Sequence, residues 1–514
     1  MVEALRAALP QPADIVETHI SWVLLSGDCA YKIKKAVDFG FLDFSTLDKR
    51  RFFCREELRL NRRLSPQLYL DVVAISGSVA APKLGSEFPP LLEYAVKMRR
   101  FPQAAQLDAM LANGALLPSH IDAIAARIAA FHRGAVVAIV AAEDCPYGTP
   151  EAVHQPVTQN FTQIRPRLSD AADLDKLRRI EDWSEGEFKR LAAVFAQRKQ
   201  HGFIRECHGD LHLANLAWFE GEITPFDCIE FSANLRWIDV ISEIAFLAMD
   251  LHDKKRPDMA WRLLNAYLQQ SGDYAGLALL RYYLAYRALV RAKVACLRSK
   301  TAIAEGAVLE VCRDYLNLGE SFTWQGRPAI IITHGLSGSG KTTVAGALAV
   351  MLGALHLRSD IERKRLYGLA ATARSGSSLD GGLYTEDGHR RTYRSLAELA
   401  QTIVAAGYAV IVDAAFLKQA ERSAFRQIAA ERRIPFVILD FHAPAELLRR
   451  RIVERERAGK DASEATLAVL ERQLAGAEPL SAAENAWSMR IDTCRELAPA
   501  ALFLALQSLL ENAA

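Results

Sequence analysis

One short run constrains the fold of this chain more than any other feature. Residues 335–343 read Gly-Leu-Ser-Gly-Ser-Gly-Lys-Thr-Thr and directly follow the apolar run Ala-Ile-Ile-Ile-Thr-His at 329–334. A β-branched strand, a glycine-rich turn and a following helix are what backbone N–H groups need in order to wrap a phosphate group. The pattern therefore predicts a strand, a phosphate-binding loop and a helix in immediate succession.

The residue types in this loop indicate a nucleoside triphosphate with a metal ion. Lys341 is expected to neutralise the β- and γ-phosphate oxygens, and the Thr342 hydroxyl is expected to join the Mg²⁺ shell. The ligands implied are ATP and Mg²⁺. The residues assigned to nucleotide binding are Gly335, Ser337, Gly338, Ser339, Gly340, Lys341, Thr342 and Thr343.

Strand-like and helical runs alternate through residues 328–514, which predicts an α/β domain with a parallel sheet. Asp360 and Asp413 each follow a strand-like run, and the carboxyl ends of parallel strands open onto the ligand crevice. We expect Asp360 to hold or deprotonate an acceptor, and Asp413 to join the metal shell or contact the acceptor. A helix N-cap is the alternative for Asp413.

An arginine-rich segment with a helical pattern follows the fourth strand-like run of this region. Arg451 and Arg455 are four residues apart, so they share a helix face. We expect them to belong to a lid that stabilises charge on a transferring group. The alternative is a solvated face carrying Glu/Arg pairs.

This part of the chain resembles small P-loop kinases of the gluconate kinase, polynucleotide 5′-kinase and zeta-toxin type. The loop and the Ser359-Asp360 pair carry the resemblance, which implies phosphate transfer from ATP without selecting an acceptor. A nucleic-acid 5′-kinase or a nucleotide-sugar kinase stays open. Nucleic acid would need a basic groove, and the sequence supplies only a short basic cluster at 358–365.

The first part of the chain has a different organisation. A hairpin is predicted over 18–35, a charged helix over 47–64 and further strands from Tyr69 and Glu93. The sequence then has a mainly helical pattern to residue 317, except for one loop-rich segment at 207–231, called the loop-rich island below. The predicted fold class is α+β, with a small β lobe and a larger helical lobe, and the family resemblance given below implies that this fold is protein-kinase-like.

The loop-rich island carries the second chemical motif. It reads His208-Gly-Asp210-Leu-His212-Leu-Ala-Asn215 and is followed by Asp227. Phosphate transfer from ATP needs a carboxylate that orients or deprotonates the acceptor hydroxyl, and oxygen ligands for Mg²⁺. We therefore assign Asp210 as the base, and Asn215 and Asp227 as metal ligands. Zinc binding by the two histidines is a weaker alternative, because the intervening Gly and Asp disfavour a helix.

The island resembles the aminoglycoside phosphotransferases and the related choline and homoserine kinases, whose loop reads His-Gly-Asp-x-His-x-x-Asn. The resemblance covers roughly residues 15–318. It implies a role for His208 in the catalytic loop, together with a strand lysine that grips the phosphates and pairs with a helix glutamate.

Lys32 matches the strand lysine, with Lys34 on the same strand face as the alternative. Glu57 is preferred to Glu56 as the helix partner, because it lies on the apolar stripe expected to face the strands. No Gly-rich phosphate-covering loop precedes Lys32, which departs from the protein-kinase pattern.

Composition excludes several classes. The 514 residues include 63 Lys and Arg against 61 Asp and Glu, a formal charge of +2 that gives no whole-molecule field for nucleic acid. The 8 cysteines show no paired CxxC spacing, and no apolar run approaches a membrane span. We expect a cytoplasmic protein with no membrane partner and no targeting segment.

The domains predicted are 1–318 (small lobe about 1–103, helical lobe about 104–318), a linker at 319–327 and a P-loop domain at 328–514, with a flexible Ser/Gly loop at Arg374–Gly382. The whole chain resembles bacterial bifunctional aminoglycoside-phosphotransferase-like/ATP-binding proteins. It implies a bifunctional kinase that moves the ATP γ-phosphate to small-molecule hydroxyl acceptors, with a sugar or aminocyclitol favoured. One domain acting as a regulatory ATP sensor is the alternative, and the oligomeric state is not predicted.

Overall fold

The structure is a computed structural model that describes residues 1–9, 11, 13–40, 42–137, 145–297, 302–371, 373, 385–458, 463–495 and 497–512, without the side chains of 302–307 and 458. The Ser/Gly loop expected at Arg374–Gly382 lies outside these residues. Among the residues described, no helix combines the length and the apolar character needed to cross a membrane. All eight cysteines are free thiols.

The chain divides into two compact units, and the division is not a single cut. Unit 1 comprises Met1–Asp253 and Tyr282–Gly319, and unit 2 comprises Lys254–Arg281 and Glu320–Ala514. The sequence predicted one boundary near residue 320, with residues 254–281 inside the first domain. In the structure this segment belongs to unit 2, because its helix packs against an edge strand of the unit 2 sheet.

Unit 1 begins with an antiparallel sheet that has a helix on each face. The strands run in the order β1-β2-β3-β6-β4-β5. Apolar residues of α1 and α2 pack on opposite faces, around Leu5 and Cys54 respectively. The elements are α1 (Val2–Ala8), β1 (Ala13–Glu17), β2 (Ser21–Ser26), β3 (Cys29–Lys34), α2 (Leu47–Arg62), β4 (Tyr69–Gly77), β5 (Pro82–Leu84) and β6 (Leu91–Arg99). The predicted hairpin and helix are confirmed.

Helices dominate the rest of unit 1, and short strands border the loop-rich island. β7 pairs with β10, and β8 pairs with β9. The elements to residue 321 are α3 (Leu107–Ala112), α4 (Pro118–Gly134), α5 (Pro150–Ile164), α6 (Ala171–Gln200), β7 (Ile204–Glu206), β8 (Leu216–Phe219), β9 (Glu222–Pro225), α7 (Ala233–Arg236), β10 (Trp237–Asp239), α8 (Val240–Asp253), α9 (Pro257–Ser271, in unit 2), α10 (Leu277–Leu297) and α11 (Ala302–Ser321).

Unit 2 contains a parallel sheet in the order β12-β13-β11-β14-β15, as its alternating text predicts. Its elements are β11 (Ile330–His334), α12 (Lys341–Leu352), β12 (Leu355–Arg358), α13 (Ser359–Leu366), α14 (Glu386–Ala405), β13 (Val410–Asp413), α15 (Gln419–Arg432), β14 (Phe436–His442), α16 (Ala445–Ala458), α17 (Leu467–Gly476), α18 (Ala482–Asn485), β15 (Ser488–Asp492) and α19 (Pro499–Asn512).

The core of unit 2 explains why β11 is so apolar. Ile330, Ile331 and Ile332 are fully buried, because β11 is a central strand with neighbours on both sides. α12 and α19 pack on one face of the sheet around Ile331 and Leu439. The phosphate-binding loop therefore follows a buried strand that is paired on both sides.

Candidate functional site

Two lysines on one strand of unit 1 share a buried glutamate. Alternate residues of a strand face the same side, so Lys32 and Lys34 of β3 both point toward α2. Lys32 Nζ lies 2.8 Å from Glu57 Oε1, and Lys34 Nζ lies 2.6 Å from Glu57 Oε2. Lys32 also binds Asp227, and Lys34 also binds Glu230. Glu57, not Glu56, is thus the helix carboxylate that meets the strand, and it meets both candidate lysines.

The charges in this cluster stabilise one another. Burial alone would lower the pKa of Lys32, but the charges of Asp227, Glu57 and Glu230 hold it well above its ordinary value. Burial alone would raise the pKa of Glu57, yet the two lysines bring it down to about 2. The pKa of Glu230 is raised, mainly by burial. The lysines and Glu57 are therefore charged at neutral pH.

His208 fastens the loop-rich island to the segment that carries Asp227. Its Nε2 donates to the backbone carbonyl of Phe226 at 2.8 Å, and its Nδ1 accepts from the Asp210 N–H at 3.3 Å. Burial lowers the pKa of His208, so the imidazole is neutral. The sequence placed His208 among the catalytic residues. In the structure both ring nitrogens of His208 bind backbone groups, and its role in catalysis stays a prediction.

Asp210 is oriented by two neighbours from its own loop. Asn215 Nδ2 donates to the Asp210 carboxylate and to its backbone carbonyl, each at 3.0 Å. His212 Nε2 lies 3.4 Å from Asp210 Oδ2. Burial alone would raise the pKa of Asp210, but the charge and the hydrogen bond of His212 lower it. Residues 208–212 are not helical, so the helical spacing that zinc would need is not formed.

The donor set beside Asp210 fits Mg²⁺. Because Asn215 uses its nitrogen for Asp210, its side-chain oxygen is left as a ligand atom of the kind Mg²⁺ prefers. The Asp227 side chain is 45% exposed, and its backbone is held in the left-handed region with φ 64°. The Phe226 N–H donates to the Asn215 carbonyl at 3.0 Å, which ties the two proposed ligands together. The three oxygen-bearing residues thus belong to one hydrogen-bonded unit.

Carboxylates on α8 hold the same loop from behind. Glu243 accepts from the Gly209 N–H at 2.7 Å, and Asp250 accepts from the Leu213 N–H at 2.9 Å. Both side chains are buried. Sequence reasoning missed them, although Glu243 and Asp250 stand among mainly apolar residues of this helix, which was a usable signal.

The phosphate-binding loop of unit 2 has room only for glycine at two positions. Gly335 and Gly338 have φ values of 145° and 82°. A Cβ at Gly335 would lie 2.8 Å from the Phe441 carbonyl oxygen, and one at Gly338 would lie 2.9 Å from that of Leu448. The loop backbone is therefore packed tightly against β14 and α16 on its outer side.

Lys341 lies inside this loop, and among the described residues its hydrogen bonds are to backbone carbonyls and a hydroxyl, with no carboxylate. Its Nζ donates to the carbonyls of Gly335 and Leu336, each at 2.8 Å, and lies 3.5 Å from Ser339 Oγ. Burial lowers the pKa of Lys341 to about 8, although the charges of Asp413 and Asp360 oppose the shift. Such a cation is stabilised by an anion, and a phosphate is the anion that the loop backbone fits.

The loop opens onto a cavity of about 1030 Å³, a volume suited to a nucleotide and a small acceptor. The Ser337 N–H donates to Gln473 Oε1 of α17 at 2.8 Å, a contact that the sequence did not predict. The predicted residues that line the cavity are Ser337, Gly338, Gly340, Lys341, Thr342, Thr343, Asp360, Asp413, Arg451 and Arg455.

The two strand-end carboxylates of unit 2 face this cavity. Asp413 Oδ2 lies 3.1 Å from His356 Nε2, and burial would raise its pKa, but the bond from His356 together with nearby positive charges lowers it. Asp360 lies 3.5 Å from Arg363. The N-cap alternative for Asp413 is wrong, because the next helix is capped by Lys418.

The two predicted lid arginines are anchored by backbone oxygens. Arg451 donates to the Gly338 carbonyl at 3.3 Å and to the Thr493 carbonyl at 2.7 Å. Arg455 donates to the Ala465 carbonyl at 2.7 Å. Both are held beside the loop, so the alternative of a freely solvated face does not describe them.

The fold and this site define the class of unit 2 as a P-loop domain. Residues 330–480 match the family model described as an AAA domain. Similar solved structures include a sugar kinase from Janibacter (26% identity, 36% of this chain and 95% of that chain, TM-score 0.28). Another is the amicoumacin kinase hAmiN in complex with AMP-PNP, Ca²⁺ and amicoumacin (14% identity, 62% and 93%, TM-score 0.38).

The whole chain has relatives of the same length range. It is 32% identical over 459 residues to the uncharacterized protein Rv2004c of Mycobacterium tuberculosis, covering 89% of each chain. The uncharacterized protein Mb2027c of Mycobacterium bovis matches with the same figures. The chain belongs to the family of these mycobacterial proteins.

Proposed function

We propose that this protein is an ATP-dependent phosphotransferase with one nucleotide site in each unit. The observation that carries the proposal is the arrangement of a buried lysine close to candidate metal-binding carboxylates, on two unrelated folds. In unit 1 the lysine is Lys32 and the carboxylate is Asp227. In unit 2 the lysine is Lys341, and the carboxylate is Asp413 at the end of β13, whose pKa the Lys341 charge helps to lower.

In unit 1, Asp210 is the proposed group that receives the acceptor's proton. Its lowered pKa keeps it a carboxylate, and Asn215 fixes one of its oxygens. A carboxylate of this kind orients a hydroxyl for attack and takes its proton as the new oxygen–phosphorus bond forms, while the bond from the γ-phosphorus to the bridging oxygen of ATP breaks and ADP leaves. Lys32 binds phosphate oxygens in the bound state, with Glu57 keeping it charged.

In unit 2, the loop N–H groups and Lys341 bind the β- and γ-phosphates, and Asp360 orients the acceptor hydroxyl. Asp413 and Thr342 are the proposed metal ligands of this unit, and Arg451 and Arg455 stabilise charge on the transferring group. Held by these oxygen donors, Mg²⁺ would supply positive charge to offset the negative charge that develops on the transferring phosphate. The oxygen donors of both units fit that ion.

The acceptors proposed are small molecules with hydroxyl groups, a sugar or an aminocyclitol being the first class to test. Fold alone does not select an acceptor. A 5′-hydroxyl oligonucleotide is the discriminating alternative for unit 2, and a nucleotide sugar is a third class.

The test is transfer of labelled γ-phosphate from ATP to a panel of sugars, aminoglycosides, nucleosides, nucleotide sugars and 5′-hydroxyl oligonucleotides. Wild type, Asp210→Ala and Lys341→Ala are compared on each acceptor. We expect each variant to lose the products of one unit, by about 100-fold or more, and to keep those of the other. A panel in which wild type labels acceptors and neither variant changes the products would contradict the assignment.

A further inference from the structure

The edge of the unit 2 sheet is covered by a helix that is remote from it in sequence. β12 is the last strand in the sheet order, so one side of its backbone has no strand partner among the described residues. α9 (Pro257–Ser271) packs against β12 and against α12. An edge strand exposes unpaired N–H and C=O groups that a neighbouring element must satisfy.

Side-chain amides of α9 satisfy this edge. Asn265 Oδ1 accepts from the His356 N–H at 2.7 Å, and Asn265 Nδ2 donates to the Ala354 carbonyl at 3.0 Å. Gln269 Nε2 donates to the His356 carbonyl at 3.1 Å. The backbone of His356 points away from β13, so both of its polar groups are held by α9. Asn265 is itself only 7% exposed.

The residue held in this way contacts Asp413, which lines the nucleotide cavity. The His356 imidazole lies 3.1 Å from the Asp413 carboxylate, and the two side chains are 7% and 5% exposed. A shift of the β12 backbone would therefore lengthen this contact directly. Asn265 thus binds the backbone of His356, and the side chain of the same residue binds Asp413.

Two further contacts fasten the same segment to unit 2. Trp261 packs over Gly353, where a Cβ would lie 2.9 Å from the indole nitrogen. The Tyr274 hydroxyl donates to Glu362 of α13 at 3.1 Å. α13 also carries Asp360, so residues 254–281 contact both β12 and the helix that carries one of the site's carboxylates.

We propose that Asn265 is a positioning residue of the unit 2 site: it fixes β12 so that His356 holds Asp413 at the nucleotide cavity. The inference rests on the nucleotide site proposed above. It makes residues 254–281, which stand in sequence between α8 and α10, a working part of the P-loop unit. Asn265 touches no ligand and acts only through His356.

The test measures how strongly Mg²⁺ tightens nucleotide binding, because Asp413 is the proposed metal ligand. Adenosine 5′-(β,γ-imido)triphosphate is titrated into the full chain with Mg²⁺ and with EDTA. A Lys32→Ala background weakens binding at unit 1, and Lys341→Ala identifies the binding that belongs to unit 2. Asn265→Ala, His356→Ala and the double variant are compared.

We expect Asn265→Ala to reduce the Mg²⁺ enhancement at least fivefold and to leave affinity in EDTA within twofold. His356→Ala should do the same, and the double variant should go no further than the larger single effect, since both act on one contact. An unchanged enhancement in Asn265→Ala, or effects that multiply in the double variant, would overturn the inference.

Two comparisons separate positioning from general destabilisation. Asn160→Ala removes another buried helical asparagine, on α5 of unit 1, whose amide has no hydrogen-bond partner in the described part of the chain. It should leave the enhancement unchanged. Gln269→Ala removes only the bond to the His356 carbonyl and should give a smaller loss in the same direction, which keeps the test open if Asn265→Ala does not fold. If the Lys32→Ala protein shows no nucleotide binding that Lys341→Ala removes, the proposed function of unit 2 is refuted instead.

Discussion

The lysines proposed to bind phosphate, one in each unit, are held in opposite ways. Lys32 is ion-paired with Glu57 and Asp227, and its pKa is raised by those charges. Lys341 donates to carbonyls and approaches a hydroxyl, and burial lowers its pKa to about 8. The first lysine is neutralised by its own protein, whereas the second is placed to be neutralised by a ligand.

This difference has a consequence for binding. Under the proposed function, a nucleotide that binds unit 1 competes with Asp227 for Lys32, and this exchange would be favoured if Asp227 held a metal ion. A nucleotide that binds unit 2 meets Lys341 and the loop N–H groups, and no ion pair of Lys341 is found among the described residues. The proposed reaction therefore requires an ion pair to break in unit 1 but, within the described residues, none in unit 2.

The largest effect is expected where the unit 1 pairing is removed. Glu57→Gln leaves two buried lysines short of a partner, and breaking a buried pair costs about 3–5 kcal/mol in the free energy of unfolding. The measurement is urea denaturation of the full chain. Glu56→Gln is the matched control on the next position, where the side chain is 20% exposed, and it should cost about 0.5 kcal/mol or less. Equal losses in the two variants would contradict the shared-glutamate account.

A smaller effect should distinguish the metal dependence of the units. Replacing Mg²⁺ with EDTA should weaken imidotriphosphate binding about 100-fold in Lys341→Ala, which reports unit 1, or ~2.7 kcal/mol. The same change should weaken binding about tenfold in Lys32→Ala, which reports unit 2. Calorimetric titration of both variants checks it. If unit 2 proves the more metal-dependent, the contrast between the lysines does not govern binding.

Much of this contrast can be read from sequence. The strand alternation that placed Lys32 and Lys34 on one face, and the helical stripe that selected Glu57, are local periodicities, and both agree with the structure. The phosphate-binding loop is equally local. The choice between Lys32 and Lys34 could not be made, because the glutamate contacts both.

The contacts that sequence could not give are those between remote segments. Asn265 and His356 are separated by 91 positions. Nothing in the local sequence around a helical amide shows which unpaired backbone groups of an edge strand it will bind. The same holds for Gln473, which reaches the Ser337 N–H from α17. Such pairings depend on where the helices dock, which hydrophobic period does not specify.

The smallest effect concerns that last contact. Gln473 occupies a loop N–H that a phosphate oxygen would use, so Gln473→Ala removes a competitor. A neutral hydrogen bond of this kind is worth about 1 kcal/mol, which corresponds to an affinity gain of up to roughly fivefold for unit 2. Nucleotide titration in the Lys32→Ala background measures it. Gln427→Ala on α15, whose amide contacts Glu431, is the control and should change nothing. A weaker affinity in Gln473→Ala would show that Gln473 assists the bound nucleotide instead.

The central claim is that one chain carries two nucleotide sites. The stoichiometry of Mg²⁺–imidotriphosphate binding to the full chain tests it most directly, with Lys32→Ala and Lys341→Ala beside wild type. The account predicts two nucleotides bound per wild-type chain and one strong site remaining in each variant. One nucleotide per wild-type chain, lost entirely in either single variant, would contradict it.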